Sequence, residues 1–376
     1  MIVLHSSVSL LLTALYLLVV AYLIKGWAAL KRTKLDGAPL QTPITVLIAA
    51  RNEAERIHFT IEDILDQDYP KHLTEIIIVD DHSTDDTANI IRSYADRGVK
   101  LLQLNEDKPL NSYKKKAIAE AISQSTGDLM ICTDADCRMG TKWLSTVVAY
   151  YETEKPVMIS SPVTYFEETS LFERLQTLEF SYLIGIGASF IGNGRASTCN
   201  GANFAYRKDV FYEVGGFKGI DDLASGDDEL LLQKVAEVYP HQIGFLKNHE
   251  AVVYTHAKHT LNEFLQQRRR WASKSTRYKD KKVVALAVCI WLFNLSLLVN
   301  FALGFYNVNF MILFLVQFML KYLIEVAFLL PITGFFKRPQ LVSLLIILGP
   351  IHILYFVYVG LMGNTRRYAW KGRVVR

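Results

Sequence analysis

Four apolar stretches bracket this chain and leave one place for an aqueous fold. Residues 7–28 open it; residues 283–305, 308–330 and 341–363 close it. Each has roughly the 20 apolar residues that a helix needs to cross a bilayer's hydrocarbon core. No basic segment precedes the first stretch and no small-x-small cleavage site succeeds it, so it reads as a retained membrane helix. Lys25, Lys31, Arg32 and Lys34 come directly after it, and a cationic flank of that kind places the next part of the chain in the cytoplasm. In the closing stretches Lys321 and Glu325 stand four apart on one helix face, where they can pair. Gly349-Pro350 is expected to break or kink the last one. Three crossings after a cytoplasmic domain put the tail outside, yet Arg366, Arg367, Lys371, Arg373 and Arg376 argue for inside. Either the last segment re-enters, or the charge rule fails here.

Residues 44–256 read as alternating strands and helices. The strand candidates are 44–50, 75–80, 99–104, 129–133 and 157–161, with helix-like segments near 53–66, 84–97, 112–125 and 141–153. Continuous apolar strands separated by helices predict an α/β fold with a mostly parallel sheet covered on both faces. The expected organisation is a transmembrane helix (1–30), an α/β domain (40–257), an amphipathic interfacial segment (258–282), transmembrane helices (283–363) and a basic tail (364–376). Cys132, Cys137, Cys199 and Cys289 have no metal-like spacing and read as reduced packing residues.

Strand 129–133 runs into Thr133-Asp134-Ala135-Asp136, which delivers two carboxylates to its carboxyl end. Ligands bind at that edge of an open α/β sheet. An Asp-x-Asp pair there suits a hard divalent cation that completes its shell with substrate phosphates; a solvated acidic turn is the plainer reading. Ala49-Ala50-Arg51-Asn52-Glu53 ends the first strand, where a loop and the next helix start can meet an anion. The second strand ends in Asp80-Asp81-His82-Ser83-Thr84-Asp85, whose carboxylates can accept from a base or ribose while Ser83 and Thr84 can cap the next helix. Lys114, Lys115 and Lys116 usually mark a solvated face, with room for one of them to act. Ser225-Gly226-Asp227-Asp228-Glu229 opens another helix; it either complements the dipole or supplies a general base.

Gln267-Arg268-Arg269-Arg270-Trp271 then falls in an amphipathic stretch just before a span. On composition alone it is a basic helix at the membrane surface. With it, however, the order D, D-x-D, (E/T)D, Q-x-x-R-W is complete: Asp81, Asp134-Ala135-Asp136, Asp227-Asp228 and Gln267-x-x-Arg270-Trp271. Over roughly residues 43–275 the chain resembles the membrane-integrated family 2 glycosyltransferases, among them cellulose, chitin and hyaluronan synthases and ceramide glucosyltransferases.

The resemblance implies a nucleotide-diphospho-sugar transferase (GT-A-like) domain and a role for each motif residue. Asp81 and the loop of Ala49, Arg51, Asn52 and Glu53 hold the nucleotide. Asp134 contacts the ribose or sugar phosphate, and Asp136 ligates Mg²⁺ or Mn²⁺. Lys114 lies near the diphosphate, and Asn200, Gly201, Ala202 and Asn203 lie beside the donor sugar and acceptor. Asp228 is the base. Asp227 stands where many relatives have Glu, which leaves open which of the two aspartates acts. Gln267, Arg270 and Trp271 close over the diphosphate and acceptor.

The implied reaction is inverting transfer from a nucleotide sugar, UDP-linked by expectation, to a hydroxyl of a membrane lipid or lipid-linked acceptor. A processive polysaccharide synthase is the alternative; four candidate spans are few for a polymer channel. Residues 170–194 either lie on the bilayer or form a buried core helix. A silent partner protein would have lost some of these residues, and none is lost. A nicotinamide enzyme would need G-x-G-x-x-G where AARNEAER stands. Nucleic acid is not expected, because the cations of 268–282 abut a span and face lipid or donor phosphates.

Overall fold

The computed structural model describes residues 2–32, 40–105, 110, 112–272, 281–362, 368–370 and 373–375. Lys34, residues 273–280 of the interfacial segment and, in the basic tail, Arg366, Arg367, Lys371 and Arg376 lie outside the described residues.

In chain order the elements begin with α1 (Ile2–Ala29), β1 (Ile44–Ala50), α2 (Ile57–Leu65), β2 (Thr74–Asp80), α3 (Thr87–Arg92), β3 (Val99–Gln103), α4 (Tyr113–Gln124) and β4 (Leu129–Asp134). Next come β5 (Arg138–Met139), α5 (Trp143–Glu154), β6 (Met158–Ser160), β7 (Val163–Tyr165), α6 (Leu171–Gly192), β8 (Phe204–Arg207), α7 (Lys208–Glu213) and α8 (Glu229–Val238). The chain continues through β9 (Ile243–Phe245), β10 (Val253–Thr255), α9 (Leu261–Ala272), α10 (Lys281–Gly304), α11 (Val308–Phe335), α12 (Leu345–Met362), β11 (Tyr368–Trp370) and β12 (Arg373–Val375). Two compact units result: Met1–Trp27 with Thr169–Gly185 and Lys258–Arg366, and Ala28–Glu168 with Ile186–Ala257 and Arg367–Arg376.

The second unit is built on a seven-stranded sheet of order β3-β2-β1-β4-β8-β6-β9. Its first four strands in space are parallel, and their apolar runs are buried almost throughout, as happens when helices cover both faces. Register sets the edge level: Ala49 pairs with Val79 on one side and with Asp134 on the other. Gly127, at the entry to β4, has to be glycine, since a Cβ there would lie 2.5 Å from the Ile44 carbonyl carbon. A smaller sheet, β5-β10-β7, completes the unit together with the β11-β12 hairpin.

The five expected strands are present, and the sheet is mostly parallel. Strands β5, β7, β8, β9 and β10 are additional, and β8 is an antiparallel strand inserted between β4 and β6, with Cys132 opposite Phe204. An antiparallel strand enters a sheet where its parallel neighbours leave it. Asn200 to Asn203, just before β8, are therefore brought to the edge where β4 ends. Cys132 and Cys137 are buried packing residues, and none of the four cysteines is disulfide-bonded among the described residues.

In the first unit, α1, α10, α11 and the segment Pro339–Leu361 are each long and apolar enough to cross a membrane. The last helix runs through Pro350 rather than breaking at it. Polar side chains are buried where these helices meet. Asn300 donates to Gln317 (2.6 Å) and to Ser9 (3.2 Å), and it bonds His5 (2.7 Å). Gln317 in turn donates to Thr13 at 2.8 Å. Further along α1, Tyr16 donates to Glu325 at 2.5 Å, and Glu325 also pairs with Lys321, as their spacing suggests.

Candidate active site

Of the three consecutive lysines, each does something different. Lys115 shares the apolar face of α4 with Ile118 and Ile122, and its buried ammonium donates to three carbonyls, those of Ile220, Leu223 and Ser225, each at 2.7 Å. It thereby ties down the loop that leads into Asp227. Lys116 is exposed and faces Glu120. Lys114 joins two acidic motifs: its Nζ is 2.7 Å from Asp134 Oδ1 and 3.0 Å from Asp227 Oδ2.

Burial works against the charge on Lys114, but Asp134, Asp227 and Asp228 outweigh it and hold the ammonium well above the usual lysine range. Burial also opposes the Asp227 carboxylate; Lys114 and then Lys115 outweigh it, and its pKa sits below the usual aspartate range. Asp228 is more exposed than Asp227 and caps α8, with Oδ1 accepting from the Glu229 N–H at 2.7 Å. Gly201 presses on this pair, since a Cβ there would stand 3.2 Å from Asp228 Oδ2 and 3.5 Å from Asp227 Oδ2. The Ala202 N–H donates to Asn200 Oδ1 at 2.9 Å, which shapes the turn.

Asn203 is buried just ahead of β8. Its buried amide accepts from Trp143 Nε1 at 3.0 Å and donates to the carbonyls of Pro162 (2.8 Å) and Ala251 (2.7 Å). With its oxygen and both amide hydrogens engaged, it fixes the start of β8.

The loops after β1 and β2 brace each other. Arg51 Nη1 donates to the carbonyls of Asp81 (2.8 Å) and His82 (2.7 Å), the Asn52 N–H donates to Ser83 Oγ (3.0 Å), and the Thr84 N–H donates to Asn52 Oδ1 (2.8 Å). The Glu53 N–H donates to Thr87 Oγ1 at 2.8 Å. Ser83 and Thr84 thus brace a loop rather than cap α3, whose first turn instead donates to Asp85 from the Thr87 N–H. Asn52 (φ 50°) and His82 (φ 54°) both hold left-handed backbone, a strain that is maintained only where the surroundings fix it. Asp81 is buried, with Oδ1 3.0 Å from His82 Nδ1. Asp80 Oδ1 is buried with no hydrogen-bond partner among the described residues.

The donor set at Asp136 fits a hard cation. Its carboxylate is partly exposed, and its contact is the Cys137 thiol at 4.0 Å. Burial, with Asp136 and Asp134 adding to it, pushes the Cys137 thiol well above the usual range. Among the described residues no three His, Cys, Asp or Glu side chains cluster as a metal cage. A cation here would take most of its oxygens from substrate and water, as Mg²⁺ commonly does.

Gln267, Arg270 and Trp271 belong to α9, in the other unit. Thr260 and Glu263 start that helix as a capping box, with the Thr260 N–H donating to Glu263 at 3.1 Å and the Glu263 N–H to Thr260 at 3.3 Å. The buried face of α9 is Phe264 and Arg268, so a motif arginine that the sequence left unassigned is the one turned inward. Its partner, Glu179 of α6, was not anticipated either.

Fold and edge geometry together define a GT-A-like glycosyltransferase architecture, accompanied by four apolar helices. Residues 45–215 match the family described as Glycosyl transferase family 2. It is 28% identical over 251 residues to the probable glycosyltransferase YdaM of Bacillus subtilis (strain 168), covering 64% of this chain and 57% of that protein. It is 26% identical over 238 residues to the poly-beta-1,6-N-acetyl-D-glucosamine synthase of Staphylococcus aureus (strain COL), covering 61% and 53%. The chain thus spans little more than half the length of these relatives. The mannosyltransferase PcManGT from Pyrobaculum calidifontis, solved with GDP-Man and Mn²⁺, shares the fold at TM-score 0.56 and 17% identity, over 96% of this chain and 100% of that one.

Proposed function

We propose that the protein is an inverting, metal-dependent glycosyltransferase of the membrane, with its α/β domain in the cytoplasm. The observation that carries this reading is the Lys114 contact, which draws Asp134 at the end of β4 and Asp227 at the start of α8 to one ammonium. Asp81, Arg51, Asn52 and the backbone from Ala49 to Glu53 receive the nucleotide. Asp134 and Lys114 receive its sugar-phosphate end, where Lys114 offsets charge on the departing diphosphate. Asp136 would hold Mg²⁺ or Mn²⁺, which supplies further positive charge to those phosphates.

Asp228 is the base. It is the more exposed of the two aspartates, and Asp227 is already engaged by Lys114. As the acceptor oxygen bonds to the anomeric carbon, the bond from that carbon to the phosphate oxygen breaks. Asp228 takes the hydroxyl proton, and the nucleoside diphosphate leaves. One displacement inverts the centre and needs a single carboxylate, unlike the two-carboxylate retaining hydrolases. Gln267, Arg270 and Trp271 serve the diphosphate and the acceptor.

The acceptor we propose is a hydroxyl of a membrane lipid or lipid-linked molecule, supported by the four apolar helices. The relatives named as polysaccharide synthases favour a second reading, a growing polymer. A detergent-solubilised assay with labelled UDP-, GDP- and dTDP-sugars and Mn²⁺ tests both. Organic-extractable label supports the lipid, high-mass label supports the polymer, and absence of transfer from every donor rejects the enzyme.

A further inference from the structure

Arg268 is out of place inside a basic surface helix, where arginines reach for water. It is 4% exposed. Nε lies 3.1 and 3.2 Å from the two Glu179 oxygens, and Nη2 lies 2.5 Å from one of them. Nη1 donates to Gln267 Oε1 at 2.8 Å. The guanidinium also stacks on Trp271, with its carbon 4.3 Å from the ring centroid, and on Phe264, at 4.5 Å. Phe180, the residue after Glu179, flanks the same indole at 6.0 Å.

A buried ion pair is a poor source of stability, since an apolar pair of similar volume often does as well or better. What this pair does provide is direction. A planar fork that is chelated by one carboxylate has a fixed plane, and that plane dictates where the Gln267 amide and the Trp271 ring can lie.

We propose that Arg268, clamped by Glu179, is a positioning residue that sets the side-chain geometry of Gln267 and Trp271. The proposal rests on the reading that those two residues serve sugar transfer. Arg270 would act on substrate, while its neighbour Arg268 acts only through the protein.

The test uses the full chain in detergent, with UDP-N-acetylglucosamine as probe and UDP release as readout. Arg268→Lys keeps the charge but can neither chelate Glu179 nor stack as a plane. Its kcat is expected to fall by about 10- to 100-fold, the scale of a misplaced catalytic element. The emission of Trp271, isolated by subtracting the matching Trp271→Phe protein, shifts to the red. In a Gln267→Ala/Trp271→Phe background the same Arg268→Lys change costs less than about twofold, because residues acting as a unit are not additive.

Where Gln267→Ala/Trp271→Phe is itself impaired, wild-type turnover in Arg268→Lys, or a loss that adds in full to that background, overturns the proposal. Should Arg268→Lys fail to fold, Glu179→Gln, nearly isosteric, carries the same three measurements. Wild-type turnover in Gln267→Ala/Trp271→Phe sinks the parent reading instead. The positioning claim is then decided by the Trp271 emission: a red shift in Arg268→Lys upholds it, and an unchanged spectrum ends it.

Discussion

Lys114 and Asp227, on the first turn of α4 and just ahead of α8, meet at 3.0 Å, and the same ammonium meets Asp134 at 2.7 Å. Lys114→Met leaves two carboxylates facing each other with no cation between them. A lost hydrogen bond to a charged group costs about 1–3 kcal/mol, so the melting temperature should drop and affinity for a nucleotide sugar should fall with it. Lys116→Met, on the exposed side of the same turn, should change neither. Equal effects of the two substitutions in thermal-shift titrations would remove Lys114 from the site.

The pH behaviour of that pair is set by the two shifts. Asp227 is held below its usual range, so its contribution is present above the unfolded value near pH 4 and is lost as pH falls through the lowered pKa. Lys114 is held above its usual range, so its contribution is present below about pH 10 and is lost as pH rises through the raised pKa. The contribution of this pair to wild-type stability should therefore stay flat from about pH 5 to about pH 10. Melts across that range check it; a slope near neutrality would mean that another group is titrating.

Asp228→Asn should lower kcat by about 10²–10⁴, the usual worth of a positioned base, while donor binding persists. Asp227→Asn should weaken donor binding and stability as well, because it also breaks the Lys114 contact. Near-normal turnover in Asp228→Asn would transfer the role of base to Asp227.

Gly201→Ala tests how tightly the acceptor-side turn is set against the base. The added methyl comes within 3.2 Å of Asp228 Oδ2, a contact that a rotating carboxylate can relieve without unfolding the domain. The expected outcome is a loss of about tenfold or more in kcat with little change in melting temperature. Unchanged kcat would show that Asp228 is free to move.

Asp136→Asn removes the carboxylate available to a divalent ion. Transfer should vanish in excess EDTA for the wild type, and the variant should need markedly more Mn²⁺ for half-maximal rate, since a neutral amide is a far weaker ligand for a hard cation. Full activity in EDTA would refute the metal assignment.

Much of this fold could be read from local signals. Strands β1, β2 and β4 are built on apolar runs; β1 gives way to Arg51, and β2 and β4 end on Asp80 and Asp134. Strand β8 gave no such sign: Phe204–Arg207 is four residues without a β-branched side chain, and its place between β4 and β6 is decided by pairing alone. The site divides in the same way. Its aspartates stand out because carboxylates at strand and helix ends are unusual in an apolar context, whereas the partners of those aspartates lie far off in sequence. Lys115 did carry a clue, falling in helical phase with Ile118 and Ile122; Arg268 did too, four residues after Phe264. Glu179 carried none, since a carboxylate in a mostly apolar helix points to no partner until the fold supplies one.

The hydrogen bonds from α1 to Asn300, Gln317 and Glu325 change what the first helix is for. A tether can be exchanged for any other segment of equal hydrophobicity. This one is keyed to its neighbours by Ser9, Thr13 and Tyr16, so a generic apolar helix grafted in its place would leave the polar groups of Asn300, Gln317 and Glu325 short of these partners. Fusion designs should leave the opening helix intact and attach tags ahead of it.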